Sequence, residues 1–153
     1  MEHVDDPTLA SLFEEDQSDR SEYLKSPTPE NWRKVLERDK ARRECVIELM
    51  QQQKLNTAAD YFGAGIIMLH GSTSEEFILG HVFAMTSMAK GNSDAAWLSA
   101  VTLDRMMQGL GQGQVFDTQP PEMCDNVTKF KTREKTVFIT DSMREIFAPR
   151  PHD

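Results

Sequence analysis

From residue 7 onward the apolar positions recur at three- and four-residue steps, broken at intervals by glycine or proline, which is the pattern of helices joined by short connections. Leu9, Leu12 and Phe13 share one side of a short helix beginning near residue 7. The stretch KSPTPENW breaks it, and Thr28-Pro29-Glu30 reads as an N-cap followed by a first-turn proline. The next helix is predicted over about 30–53, with Trp32, Val35, Leu36, Val46, Leu49 and Met50 as its apolar contacts. Its middle carries Arg38, Asp39, Arg42 and Arg43. Such a belt suits a solvated face, while Asp39 and Arg43, one turn apart, equally suit an inward-facing pair.

From Asn56 the punctuation becomes regular. Asn56 is placed to cap a helix that stops at Gly71, Thr73 opens the capping-box sequence TSEE of a helix that stops at Gly91, and Ser93 is placed to cap a third ending near Gly109. Each spans about fourteen to seventeen residues and the connections are short, so consecutive helices should pack antiparallel. The segments AADYFGAGI and MAKGNSDAAWLSA supply small residues for close helix approach beside Phe62, Phe77, Phe83, Trp97 and Leu98. Met85, Met88, Met106 and Met107 read as gap-filling core. No repeat of fixed period is visible, which favours a closed bundle over an open solenoid. After Pro121 the runs NVTKFK and KTVFIT are β-branched and aromatic, and Thr140 or Asp141 can cap a last helical turn or two, SMREIF.

The expected fold is therefore mainly α: a compact antiparallel helical-hairpin bundle, similar to a helical-repeat pair, with a short extended or β-hairpin arm over about 122–140. Residues 1–28 are expected as an acidic segment with one short helix, and 29–153 as a single helical domain.

Charge changes this picture in one respect. The net charge of −8 comes from residues 1–30, which hold nine acids against two bases, leaving sixteen acids and fifteen bases in the rest. The body is nearly neutral. Its basic stretches, RKVLERDKARR and KFKTREK, are interleaved with acids and lack interleaved aromatics, so nucleic acid is not an expected partner. Cys45 and Cys124 have no metal-ligand spacing and no disulfide framework around them. No apolar run reaches the length of a membrane span and the amino terminus is acidic, so a soluble cytoplasmic chain is expected, with no membrane partner.

No standard catalytic signature is present. GLGQG lacks the Lys-Ser/Thr of a phosphate loop, and His70 and His81 lie on different predicted helices, so neither a cofactor nor a metal is implied. His70 ends the apolar run AGIIMLHG, where a helix dipole favours imidazolium and a side chain can cap open carbonyls. His81 is expected buried with one hydrogen bond. Asp104 and Arg105 close a helix but diverge around it, so each must pair elsewhere. Arg105 presents a planar multi-donor group suited to a ligand carboxylate or phosphate, or to a loop carbonyl. The loop that follows offers Gln112, Gln114, Thr118 and Gln119 as neutral donors and acceptors, which suits binding better than proton transfer.

The ordered segments EDQSDR, RDKARR, TAADYFGAGIIMLHG, AAWLSAVTLDRMMQGLGQGQVFDTQ and ITDSMREIFAP resemble a family of small bacterial proteins grouped as a domain of unknown function. That family's pattern has an Asp-Gln-x-x-Arg opening, an Arg-Asp helix, a Gln-His-Gly helix end, a helix closing in Asp-Arg and a Gly-Thr-Gln loop. The resemblance spans about residues 8–149 and brings no established activity. It departs before His70, where Met68 and Leu69 stand and the family has Gln beside the His, and at Asp117, where it has Gly before Thr118-Gln119. The resemblance implies Asp16, Gln17, Arg20, Arg38, Asp39, Gln114, Thr118 and Gln119 as ligand-binding positions beside His70, Asp104 and Arg105. Such a set forms either a buried hydrogen-bond network or the lining of a cleft.

Two functions are expected from these features. The first is binding of a small molecule or peptide in a cleft at helix ends, catalytic if His70 or Asp104 moves a proton while Arg105 anchors an anionic or carbonyl group. The second is a protein–protein interaction module without catalysis, in which the acidic leader serves as a flexible arm. A homodimer is compatible with both.

Overall fold

The computed structural model describes residues 4–119 and 137–147. Among these residues the chain is all helical: α1 (Pro7–Lys25), α2 (Pro29–Gln51), α3 (Ala58–Leu69), α4 (Ser74–Ala89), α5 (Ala95–Gly109) and a short α6 (Asp141–Phe147). The arm expected at 122–140 falls almost wholly outside the described residues. Among the described residues no helix is long and apolar enough to cross a membrane.

Local chemistry sets the starts. The Asp6 carboxylate accepts from the Thr8 and Leu9 N–H groups, Thr28 Oγ1 accepts from Asn31 N–H, and Thr73 with Glu76 forms a reciprocal capping box. Two caps sit elsewhere than expected. Thr57, not Asn56, starts α3, because Asp60 lies three residues on and closes a second capping box with it. Before α5 the chain turns at Asn92, whose carbonyl accepts from Ala95 N–H and whose side chain accepts from Asp94 N–H, so Ser93 contributes only its carbonyl, to Ala96 N–H.

Short connections fold α3, α4 and α5 back on one another. Ser87, late in α4, donates to the Ala58 carbonyl at the start of α3 (2.6 Å), and His81 meets the Ser99 carbonyl of α5 (2.9 Å). The α3–α4 crossing is close because Gly65 faces Gly80. A Cβ at Gly80 would lie 3.2 Å from Met68 Cβ and 3.4 Å from the Gly65 carbonyl oxygen. The core is built around α3, where Ala64, Ile67 and Met68 join Leu9, Val46, Leu49, Leu55 and Phe83, and where Ile66 and Leu69 face Ala84, Leu98 and Val101 on the other side.

The acidic segment is part of this bundle. α1 runs nineteen residues, buries Leu9 and Asp16, and packs against α2 and α3; the Asp6 N–H donates to Asp60 Oδ1 at the start of α3 (2.8 Å). A flexible acidic leader over residues 7–25 is thereby corrected to a packed helix. Four apolar expectations are also corrected. Trp32 and Leu36 lie outward, with Trp32 against Tyr23, while Met85 and Trp97 are 42% exposed rather than core.

Candidate functional site

The polar residues gather in two knots, one on each flank of the C-terminal end of α3. In the first, α1 contributes Asp16, Asp19 and Arg20, α2 contributes Arg38, Asp39 and Arg42, and α3 ends on His70. Asp16, Arg20, Asp39 and Arg42 stand at helical spacing on facing helices, so the two pairs interleave. Arg20 binds both oxygens of Asp39 (3.1 and 2.8 Å) and also donates to Asp16 Oδ1 (3.1 Å). Arg42 Nη2 bridges Asp39 Oδ1 and Asp19 Oδ2, both at 2.8 Å. The expected one-turn pair of Asp39 with Arg43 is thus replaced by Asp39 with Arg42 and Arg20.

These charges are costly to bury unless they are paired, and they are paired. Asp16 and Asp39 are 1% exposed and Arg42 is 3% exposed. Burial would raise the Asp39 carboxyl, but hydrogen bonds from Arg20 and Arg42 outweigh it and hold the group below the usual range. Burial would likewise lower Arg42, and its bonds to Asp39 and Asp19 raise it instead. Arg42 Nε is buried without a hydrogen-bond partner among the described residues, with Asp16 Oδ1 3.9 Å away. Arg38 closes the outer edge through Asp19 (2.7 Å), and Gln17 donates to Asp16 Oδ2 (2.8 Å).

His70 is fixed by its two neighbours. Arg20 Nε–H donates to Nε2 at 3.1 Å, and since a guanidinium nitrogen can only donate, Nε2 must carry the lone pair. The ring proton therefore sits on Nδ1, which donates to Asp16 Oδ1 at 2.9 Å. Protonating Nε2 would set one N–H against another. Burial, the largest influence, pushes the His70 pKa down, and the Arg20 charge adds to it against the opposing pull of Asp16. His70 is a neutral acceptor rather than an imidazolium capping its helix.

The open carbonyls at the end of α3 are capped by arginines. Arg43 donates to the His70 carbonyl (2.9 Å) and pairs with Glu76 (2.8 Å), whereas Arg105 donates to the Leu69 carbonyl (3.1 Å). Guanidinium groups at a helix C-terminus satisfy orphan carbonyls and match the macrodipole.

The second knot organises the loop after α5. Asp104 is fully buried, and its four acceptor positions are filled: Oδ1 by the N–H groups of Val115 (2.6 Å) and Phe116 (2.9 Å), Oδ2 by the Thr118 N–H (2.9 Å) and hydroxyl (2.8 Å). Gln114 clasps the backbone of Gln119 with both ends of its amide, and Gln119 Oε1 accepts from Arg105 Nε (3.0 Å). Asp117 has φ +56°, a left-handed conformation that accounts for glycine suiting this position. Its carboxylate accepts from Arg144 of α6 (2.6 Å), which also donates to the Phe116 carbonyl.

His70 and Arg105 are therefore brought to the same helix end, but Asp104 is turned into the loop. The proton-moving roles expected of His70 and Asp104 meet a physical obstacle, because the lone pair of the first and all four acceptor positions of the second are engaged within the protein. Arg42, Arg43, Asp19 and Glu76 complete these contacts around the end of α3 and were not among the expected site residues. The signal for the first knot lay in the matched spacing of Asp16/Asp19/Arg20 and Asp39/Arg42 on successive helices. No family model, curated protein or solved structure matches the chain.

Proposed function

We propose that the chain is a helical interaction module without catalysis, which offers the outer face of α4 to an amphipathic helix, while the polar knots hold the bundle rigid behind that face. The composition of the face carries this reading. The exposed positions of α4 are Glu75, Ile78, Val82, Met85 and Ala89, spaced by alternating three- and four-residue steps, which is the a/d seam of a coiled coil. A surface helix ordinarily turns charge outward, yet this one presents four apolar side chains and a single acid. Ile78 and Val82 are each 44% exposed, although α4 already buries Phe77, Gly80, Phe83, Ala84 and Ser87 toward α3 and α5.

The engaged lone pairs of His70 and Asp104 support the non-catalytic half of the reading. Membership of the bacterial family that the motifs resemble is proposed alongside it and assigns no activity. The test is an NMR titration of the labelled chain with a synthetic amphipathic helical peptide bearing leucine at a and d. Shift changes are expected at Ile78, Val82, Met85 and Ala89, and their loss in Val82→Glu. Changes centred on Arg20 and His70 instead would restore a ligand cleft at the helix ends, and silence along α4 would sink the docking face.

A further inference from the structure

The seam on α4 is self-complementary in a way that names its occupant. Val82 stands at its centre, Ile78 and Met85 flank it, and the exposed charges at its two ends have opposite sign, Glu75 in the first turn and Lys90 just past the last. We infer that the helix received by this face is α4 of a second copy, laid antiparallel about a two-fold axis near Val82. The inference rests on the docking-face reading above and adds the identity of the partner.

A two-fold axis across the helix sets Val82 on the partner's Val82, Ile78 beside the partner's Met85, and Glu75 beside the partner's Lys90, twice over. An isologous contact of this kind uses one patch for both partners and closes on itself. The antiparallel arrangement also sets each helix's positive end against the other's negative end. A parallel arrangement would place Glu75 against the partner's Glu75 and align the dipoles, both repulsive. Lys90 Nζ lies 6.0 Å from the Tyr61 ring centroid, a loose contact that its flexible stem can leave.

The polar groups along the margins of the seam do not oppose burial. Thr86 Oγ1 donates to the Val82 carbonyl (2.8 Å), and His81 is engaged through Nδ1 with Ser99 and Thr102 of α5. Among the described residues α4 packs mainly on α3 and α5 and pairs with Arg43 of α2 through Glu76, which lies off the seam, while the seam positions stay exposed. The four apolar seam positions make a small interface, of the size class of weak, reversible association.

Sedimentation equilibrium of the full chain across the micromolar range tests the inference. The wild-type chain is expected as a reversible dimer, and Val82→Glu as a monomer with unchanged circular dichroism. Because two symmetry-related ion pairs are involved, Glu75→Lys and Lys90→Glu should each weaken association about tenfold, and the double swap should restore it. A wild-type chain that stays monomeric but still takes the synthetic peptide on α4 overturns self-pairing and leaves the docking face standing. A chain that does neither overturns both. A dimer indifferent to Val82→Glu, or one that the double swap fails to restore, contradicts antiparallel pairing through this seam.

Discussion

Arg20 donates its Nε–H to Nε2 of His70 at 3.1 Å, and the same guanidinium grips both oxygens of Asp39. One side chain thereby fixes the tautomer of the imidazole and neutralises a carboxylate on another helix. The polar residues that looked most like an active site become the means by which α1, α2 and the end of α3 are held together.

Removing a buried member of this knot should cost far more than removing one at its rim. Asp39→Ala removes the buried carboxylate that Arg20 and Arg42 share, leaving them only Asp16 and Asp19, and is expected to destabilise by about 3 kcal/mol or more. Arg38→Ala, whose side chain is 52% exposed, is expected to cost less than about 1 kcal/mol although its ion pair with Asp19 is as short as any in the knot. Urea denaturation of the two variants checks the contrast, and equal losses would show that the knot is not the lock described.

The histidines give the pH dependence its sign. His70 and His81 are both pushed below their ordinary value of 6.5 by burial, so between that value and the lowered one the unfolded chain binds the proton first. Stability should therefore fall as pH drops below about 6.5 and level off only when the folded-state imidazoles protonate. His70→Asn should flatten part of this slope and leave the part due to His81. Thermal unfolding followed at closely spaced pH values reads it directly.

The loop after α5 should depend on one carboxylate. Asp104→Asn replaces an acceptor oxygen with an NH2 group that faces N–H donors, and is expected to cost about 1–3 kcal/mol. Hydrogen exchange should quicken at Val115, Phe116 and Thr118, the three amides it holds, and remain slow in α3. Uniform acceleration across the bundle would mean that Asp104 supports the core rather than the loop.

Much of the fold was legible because its signals are local. Thr28 before Pro29, the Thr73–Glu76 box and Thr140 ahead of α6 each act within one turn of chain, and each is found at its helix start. The knots were less legible because their partners are distant in sequence. Arg42 and Arg43 resembled a solvated belt until α1 supplied Asp16 and Asp19, and until the first turn of α4 supplied Glu76. Met85 was misplaced for a different reason. α4 is apolar on two faces, and periodicity alone does not say which faces the core. Asp117 was recognised as unusual where glycine suits the loop, but only the fold shows that its carboxylate reaches Arg144 on α6.

His70 is a neutral acceptor held by Arg20. Long-range proton–nitrogen NMR of the His70 ring tests it most directly. The expected result is a protonated Nδ1, an unprotonated Nε2 and a titration midpoint below 6.5. A ring protonated at Nε2, or one that titrates at or above its ordinary value, would contradict the account.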